Sequence, residues 1–439
     1  MHRPFPFTRV LLVAGLTAAG IQAQNFYWNT ASASSMGMGG VYLPSSGSAI
    51  DAMSTNPAGL SALTGRTVDL SLTSIFASGS FSNSVNTNAP LKDSPGVVPY
   101  GAFGMPIGHS GFSIGVGFTP ELMSVSNWNY VDAPGVAGAS YGLQKQKSAI
   151  LAGRSSVGVA YSFSRKLALG VSAGAVYNSN TLDAPYIFQS NAALAGLKTL
   201  LDLHTTGVGW NTSVGIIAAP TDHVQFNVAW KSRTVIDSTG DASGNIGAQL
   251  AAVGLAAQPA FHYSAAVQNV LPQSVIAGVK WRVDGRWVFA LQGGWVNWNS
   301  AFSSLPVALT NGSNADINGL LGSNAISDRI PLAWKDQYSI RGGIEYRLTE
   351  SISLRTGYGF ASNPVPSSTL SPLTAAIMTN QITTGIGYRR GNWRMNLAYG
   401  IDPSNTEQVG RSALLNGEYS NSSVRIGTQS VALNTSWVF

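Results

Sequence analysis

The chain ends in Val-Ala-Leu-Asn-Thr-Ser-Trp-Val-Phe, residues 431–439, in which apolar side chains alternate with small or polar ones. Thr435 interrupts the apolar series, which consists of Val431, Leu433, Trp437 and Phe439. A period of two is typical of a strand with one face in lipid and the other toward a lumen, and outer-membrane barrels commonly finish on such an aromatic residue. The stretch therefore predicts that the chain folds in a bilayer.

Residues 1–23 have the features of a cleaved signal peptide. Arg3 and Arg9 supply positive charge, residues 10–19 form a short apolar run, and Ala23 ends an acceptable cleavage site. An N-terminal anchor helix is the weaker alternative, because a spanning helix needs roughly 20 apolar residues. We therefore expect a mature chain that begins at Gln24 and is exported to the outer membrane.

The composition agrees with a large lipid-facing surface. Charged residues make up 10% of the chain, against roughly 25% in typical soluble domains. The net charge of +6 includes two signal-peptide arginines, and no Lys/Arg cluster is interleaved with aromatic residues, so nucleic acid is not an expected partner. The chain has no cysteine, which excludes disulfides and thiolate metal sites, and we expect no cofactor.

Alternating segments recur through the body of the chain, separated in turn by short and long links. Short links fall near residues 108–111, 164–165, 221–222, 284–285, 349–350 and 390–391. Long links fall at residues 79–97, 121–147, 180–207, 238–269, 301–332, 363–378 and 402–422. This rhythm of periplasmic turns and extracellular loops predicts an all-β fold, an up-and-down antiparallel transmembrane barrel of about fourteen strands over residues 66–439.

Residues 24–65 do not follow the strand rhythm. They are rich in Gly, Ser and Ala, and they either hang in the periplasm or fold into the lumen. Apolar residues such as Trp28, Met36 and Tyr42 argue against a solvated tail, so we interpret the segment as a plug.

Several short motifs occur along the chain in a defined order. They are Asn25-Phe26, Ser35-Met36-Gly37, Asn56-Pro57-Ala58, Leu271-Pro272, Trp334-Lys335-Asp336-Gln337-Tyr338, Leu354-Arg355-Thr356-Gly357 and Pro364-Val365-Pro366. This ordered set resembles the FadL/TodX-type family of outer-membrane long-chain fatty-acid and hydrocarbon transporters. The resemblance covers essentially the whole mature chain. It implies a fourteen-stranded barrel plugged by an N-terminal hatch, here residues 24–65, with Asn25, Phe26, Asn56 and Pro57 as hatch residues.

Two of the predicted extracellular loops contain apolar residues at helical spacing. Residues 190–203 carry Leu194, Leu197 and Leu201, and the next loop carries Ile246, Leu250 and Val253 before Pro259. The pattern predicts a short helix in each loop. The helices either pack on each other to cap the barrel or also form a groove that captures substrate. The family resemblance implies the groove, because the third and fourth loops hold the capture site in that family.

Gly115, Gly117 and Pro120 lie in the predicted third strand. Proline cannot donate to a ladder and paired glycines mark a bulge or bend, although the strand could also simply end at Pro120. The resemblance implies a kinked third strand that opens the wall sideways into the membrane.

Lys335 matches a family lysine that meets the carboxylate of a fatty acid. It could equally pair with Asp336 or Asp328. The family's partner arginine has no counterpart here, where the run is Val176-Tyr177-Asn178-Ser179-Asn180, so uncharged hydrocarbons remain an alternative ligand class. The lumen-facing charges are expected to form a salt-bridge network between plug and wall: Arg341, Glu345, Arg347, Arg355, Arg389 and Arg394.

These features predict a passive uptake channel for hydrophobic molecules, without catalysis. The alternatives are a general porin for polar solutes, which the plug and apolar loops disfavour, and an outer-membrane hydrolase, for which no histidine constellation is recognisable. We expect a monomer whose partners are the hydrophobic substrate, outer-membrane lipid and lipopolysaccharide.

Overall fold

Fourteen antiparallel strands close into a single barrel in the computed structural model. The structure describes residues 32–44, 46–92, 96–415 and 419–439. Closure is made by the first and last strands, which pair from Thr67 with Val438 to Ser82 with Ser423. Their alternation sets the two faces: Leu433 and Trp437 are exposed on the outside, while Asn434 is 3% exposed on the inside. The predicted terminal strand and the predicted fold are confirmed.

Over the described residues, nine of the strands are continuous and five are described as two segments. They are β1 (Thr67–Ser82), β2 (Ala89–Pro90 and Gly96–Pro106), β3 (Phe112–Val131), β4 (Leu143–Ser164), β5 (Leu167–Ile187), β6 (Lys198–Ala218), β7 (Val224–Lys231 and Thr234–Asn245), β8 (Ala260–Leu271 and Ser274–Arg282), β9 (Trp287–Val296 and Ser304–Thr310), β10 (Ile326–Pro331 and Gln337–Arg347), β11 (Ile352–Ala361), β12 (Asn380–Arg390), β13 (Trp393–Val409) and β14 (Ser422–Val438).

The short links are where the sequence predicts them, and all the long links except that near residues 363–378 are shorter than predicted. The predicted loop over residues 121–147, for example, is mostly strand, because β3 runs to Val131 and β4 begins at Leu143. These two strands stay paired up to Val131 and Leu143. Ladder bonds continue to satisfy the backbone beyond the apolar belt, where polar side chains hide the strand pattern.

Short helices occur in the hatch and between strands. They are α1 (Ala33–Met36), α2 (Ala49–Ser54), α3 (Gly247–Ala252), α4 (Trp298–Ala301) and α5 (Ala315–Leu321). Within the described parts of the chain, no helix is both long enough and apolar enough to cross a bilayer.

The predicted helix over residues 190–203 is wrong. Lys198 already begins β6, and only a turn that ends at Gly196 (φ 82°) precedes it. Leu200 pairs with Pro185 on one side and with Asn245 on the other. Two available ladders satisfy more backbone groups than an isolated helical turn could, and they override the helical spacing of the leucines. The second predicted helix is present as α3, with Ile246 and Val253 at its two ends.

The described part of the hatch packs against inward-facing residues of the wall. α2 contacts β3, and the 3₁₀ turn at Pro57–Ala62 contacts β4 and β5. The backbone of Ala58 approaches β5 so closely that a Cβ on Gly170 would lie 2.2 Å from the Ala58 nitrogen. Only glycine leaves room for this approach.

Candidate functional site

A cavity of about 170 Å³ lies at the loop end of the barrel interior. Most of its walls are aliphatic or aromatic side chains, and the rest are uncharged polar ones. The lining residues are Ser124, Ser148, Ala149, Ile150, Asn180, Thr181, Leu182, Pro185, Tyr186, Ile187, Gln189, Leu201, Leu203, Val267, Asn269, Phe302, Leu305, Val307, Ile330, Leu332, Trp334, Ser371, Leu373, Thr374, Leu414 and Tyr419. Among the described residues, the lining includes no Asp, Glu, Lys, Arg or His.

An aromatic cluster forms one corner of the cavity. The break between the two segments of β10 brings Trp334 against Phe302, with 4.9 Å between ring centroids, and Trp298 of α4 packs on both rings at 5.0–5.1 Å. Trp298 and Trp334 are at most 1% exposed. These rings were not among the predicted site residues. The sequence signal that could have identified this cluster is Trp334, the tryptophan of the Trp-Lys-Asp motif.

Lys335 does not line the cavity. Its side chain is exposed, while its backbone N–H donates to Pro364 O at 2.8 Å. Asp336 accepts hydrogen bonds from Trp295 Nε1 at 3.0 Å and from the Asn299 backbone at 3.1 Å. Successive side chains point in opposite directions along the short break in β10. The Trp334 side chain of the motif therefore faces the cavity, and the Lys335 side chain faces outward.

The apolar residues of the third and fourth loops pack into one cluster. Leu194, Leu201, Ile246 and Leu250 are at most 8% exposed, Leu197 packs against them, and Leu201 also lines the cavity. Val253 is 45% exposed and stands apart. Mutual packing accounts for the loop leucines, and Leu201 is the member of the predicted set that reaches the cavity.

Buried carboxylates hold these loops, a role that the sequence did not predict for them. Asp328 accepts hydrogen bonds from Tyr186 Oη at 2.5 Å and from the backbone of Ser190 at 2.6 Å. The fully buried pair of Asp132 and Lys198 is joined at 2.8 Å. Burial, followed by the neighbouring Asp132 carboxylate, raises the pKa of Tyr141 to about 12. The loops are thus fixed by charge-assisted hydrogen bonds as well as by apolar packing.

The third strand is continuous through Pro120, so the alternative that it ends there is wrong. Pro120 is opposite Gly153 and Leu122 is opposite Ala152, which leaves Glu121 as the extra residue of a β-bulge. Gly115 and Gly117 do not form this irregularity, because both lie in the regular ladder with β2 and β4.

β3 separates from β2 at the bulge. Their ladder ends where Gly101 pairs with Phe118, and among the described residues backbone pairing resumes where the Lys92 N–H donates to Asn127 O at 2.9 Å. Residues 96–99 of β2 remain paired with β1 and lie beyond the β2–β3 ladder. This interruption of the β2–β3 ladder, at residues 96–99 of β2 beside residues 119–126 of β3, is the β2–β3 gap. Ser124, inside the gap, also lines the cavity.

Polar contacts tie the hatch to the wall. Asn56 Nδ2 donates to Val228 O at 3.2 Å, and Arg394 donates to Ser46 O and Gly47 O. Pro57 starts the 3₁₀ turn beside it, whereas Asn25 and Phe26 lie outside the described residues. Of the predicted salt-bridge network, Arg355 pairs with Glu345 at 2.7 Å within the wall, whereas Arg394 reaches the hatch through backbone carbonyl groups and not through an ion pair.

Comparisons with known proteins agree with this architecture. The sequence profile of a family described as "Outer membrane protein transport protein (OMPP1/FadL/TodX)" matches residues 11–432. The structure is similar to the toluene transporter TodX of Pseudomonas putida, at 20% identity over 95% of this chain and 100% of that chain, with a TM-score of 0.73. No curated protein sequence matches the chain significantly.

Two further solved structures have the same fold. The toluene transporter TbuX of Ralstonia pickettii is 18% identical over 94% of this chain and 99% of that chain, with a TM-score of 0.71. A FadL homologue of Pseudomonas aeruginosa is 15% identical over 94% of this chain and 100% of that chain, with a TM-score of 0.73.

Proposed function

The chain belongs to the OMPP1/FadL/TodX family of outer-membrane transport proteins, and on that premise we propose that it is a passive channel for small, uncharged hydrophobic molecules. The observation that carries the proposal is the cavity at the loop end of the barrel, with its apolar and aromatic walls and uncharged lining. Two proteins of similar structure are described as toluene transporters.

The size and chemistry of the cavity favour an aromatic hydrocarbon over a fatty acid. A dry apolar cavity of about 150 Å³ can hold one benzene molecule, and this cavity has about 170 Å³. An ionised carboxylate buried there would lose its hydration without gaining a cationic partner. Lys335, the partner that the family resemblance implies, is exposed outside the lining. The Trp334 and Phe302 rings offer an aromatic ligand edge and face contacts instead.

The β2–β3 gap supports a lateral exit into the membrane. An opening through a barrel wall is feasible only where the ladder is already interrupted, since unsatisfied backbone groups are costly in lipid. The ladder is interrupted beside the Glu121 bulge, and Ser124 connects this stretch to the cavity. A hydrophobic substrate that leaves by this route avoids the aqueous periplasmic end of the barrel.

Calorimetric titration of the purified protein with toluene and with a long-chain fatty acid at pH 7 tests the ligand class. Toluene is expected to bind and the ionised acid is not. Leu373→Lys places a cation in the cavity wall and should reverse this preference, whereas Leu320→Lys, on an exposed position of α5, should leave it unchanged. Tight binding of the fatty acid that is lost in Lys335→Ala would contradict the proposal.

A further inference from the structure

Arg154 connects the hatch to the wall beside the β3 bulge. It lies on β4 opposite Thr119, and its side chain is fully buried. Its guanidinium donates to Met53 O of α2 at 3.1 Å, to Asn211 Oδ1 at 2.7 Å and to Ser172 Oγ at 3.0 Å. One side chain therefore joins the hatch to three strands of the barrel.

Glu121, the extra residue of the bulge, faces the same group. Its carboxylate lies 2.9 Å from Lys231 Nζ and 3.9 Å from Arg154 Nε, and the residue is 7% exposed. Two cations therefore surround one carboxylate in a buried setting. At 3.9 Å from Glu121, the guanidinium can move closer to this carboxylate when its bond to the hatch is released.

Helix α2 covers the lumen side of β3 beside the bulge. The Met53 side chain fills the space over Gly115, Gly117 and Gly158, where a Cβ on Gly117 would lie 3.0 Å from Met53 Cβ. Gly115 and Gly117 therefore leave space for hatch side chains and do not bend the strand. The sequence alone does not suggest this role. Departure of α2 would uncover β3 up to Phe118, where the β2–β3 gap begins.

We propose that Arg154 is a positioning residue that couples release of α2 to opening of the β2–β3 gap, an inference that rests on the lateral route proposed above. In the closed state the guanidinium holds Met53 O. When α2 leaves, the guanidinium keeps Asn211 and Ser172 and moves toward Glu121, so that its charge stays paired. A buried guanidinium that lost one acceptor without this alternative would be strongly destabilised. Movement of the guanidinium toward Glu121 displaces the bulge. The hatch therefore moves and the β2–β3 gap opens together.

Arg394 provides a matched comparison. It also donates to hatch carbonyl groups, those of Ser46 and Gly47, but it lies on β13. Loss of either arginine removes a charged hydrogen-bond donor to the hatch backbone. Of these two arginines, Arg154 is the one that both bonds to α2 and lies beside the β3 bulge.

The test measures how fast a thiol reagent modifies a cysteine at position 52 of the full-length barrel. Ala52 lies in α2 with 0% exposure, and the chain has no native cysteine, so Ala52→Cys is the only thiol. Adding Arg154→Met should speed labelling at least about tenfold, the equivalent of one lost charged hydrogen bond, while Arg394→Met should change it less than about threefold. Equal rates in the two arginine variants would overturn the proposal. Retention of barrel mobility in unheated gels verifies folding, and Arg154→Gln replaces Arg154→Met if the latter does not fold.

Coupling is tested by adding toluene to the same labelled proteins. Toluene should accelerate labelling of Ala52→Cys but not of the Ala52→Cys, Glu121→Gln variant, in which position 121 offers the guanidinium an uncharged amide. Equal acceleration with and without Glu121 would refute the coupling. If calorimetry detects no toluene binding to the parent protein, the proposed function fails. The comparison of Arg154→Met with Arg394→Met in ligand-free protein still decides whether Arg154 holds α2.

Discussion

The indole of Trp334 packs against the ring of Phe302 with 4.9 Å between centroids and a 34° angle between ring planes. Both rings line the cavity, and Trp334 is 1% exposed. Phe302 follows α4 and Trp334 follows the first segment of β10, so two neighbouring interruptions of the wall together build this corner. The breaks in the barrel strands thus create the aromatic part of the proposed binding site.

Trp334→Ala should weaken toluene binding by about three- to tenfold, the scale of one lost aromatic contact. Lys335→Ala is the neighbouring control and should leave toluene binding unchanged, because Lys335 is outside the cavity. Calorimetric titration of both variants with toluene measures the two affinities. If the bound ligand is a fatty acid, Lys335→Ala should instead weaken binding by about 1–3 kcal/mol. Loss of toluene binding in Lys335→Ala alone would refute the assignment of the cavity.

The lumen-plug prediction is tested by deletion of residues 24–44. The described part of this segment packs on wall residues, for example through a hydrogen bond from the Tyr42 N–H to Gln292 Oε1 at 3.0 Å. The shortened chain should still form a folded barrel, because the ladder closes without the hatch. Its ion conductance in planar bilayers should rise clearly above that of the intact protein. Unchanged conductance of the folded variant would place the segment outside the conducting path.

Leu201 should matter more for ligand binding than the other predicted loop residues. Leu201→Asp puts a carboxylate in the cavity wall and should abolish measurable toluene binding. Leu197→Asp disturbs the packing of the third loop and should have a smaller effect, and Val253→Asp, at an exposed position, should have none. Equal loss in all three variants would favour a capture groove between the loops over the cavity.

The lateral route predicts that a regular β3 blocks uptake. Deletion of Glu121 combined with Pro120→Thr should restore an unbroken ladder, since Glu121 is the extra residue and proline lacks a donor. Toluene uptake by cells should collapse, while toluene binding persists and the barrel keeps its folded mobility in unheated gels. Substitution of Gly115 and Gly117 by Val is a less selective test, because a Cβ on Gly115 would lie 2.7 Å from Leu60 of the hatch. Full uptake by the straightened variant would favour passage along the barrel axis.

Sequence alone predicted the barrel because its pattern is local. Each strand carries its own alternation, as in Leu433 and Asn434, and the turns follow in regular order. The direction of Lys335 could not be predicted in this way. It lies in a break between two strand segments, where packing of Trp334 on Phe302, and not a period of two, sets the side-chain directions.

Contacts beyond the local sequence also account for the other differences between the predicted and the observed structure. The helical spacing of Leu194, Leu197 and Leu201 was overridden by ladders between β6 and its two neighbouring strands, β5 and β7. Glu121, Arg154 and Lys231 stand far apart in the chain and belong to no motif, so nothing local marks them as one cluster. A charged residue next to a proline inside a membrane strand is the signal that could have drawn attention to Glu121.

The central claim is that a hydrophobic substrate leaves through the β2–β3 gap once the hatch moves, and a disulfide between Met53→Cys and Gly117→Cys tests it most directly. A Cβ at position 117 lies 3.0 Å from that of Met53, so a shift of less than about 1 Å reaches the Cβ separation of a disulfide. The measurement is the initial rate of toluene uptake by cells that carry this variant, before and after reduction, with cross-linking verified by mass spectrometry. The oxidised protein should show no uptake above that of cells without the channel, and reduction should restore it. Uptake at the full rate by the cross-linked protein would contradict the account.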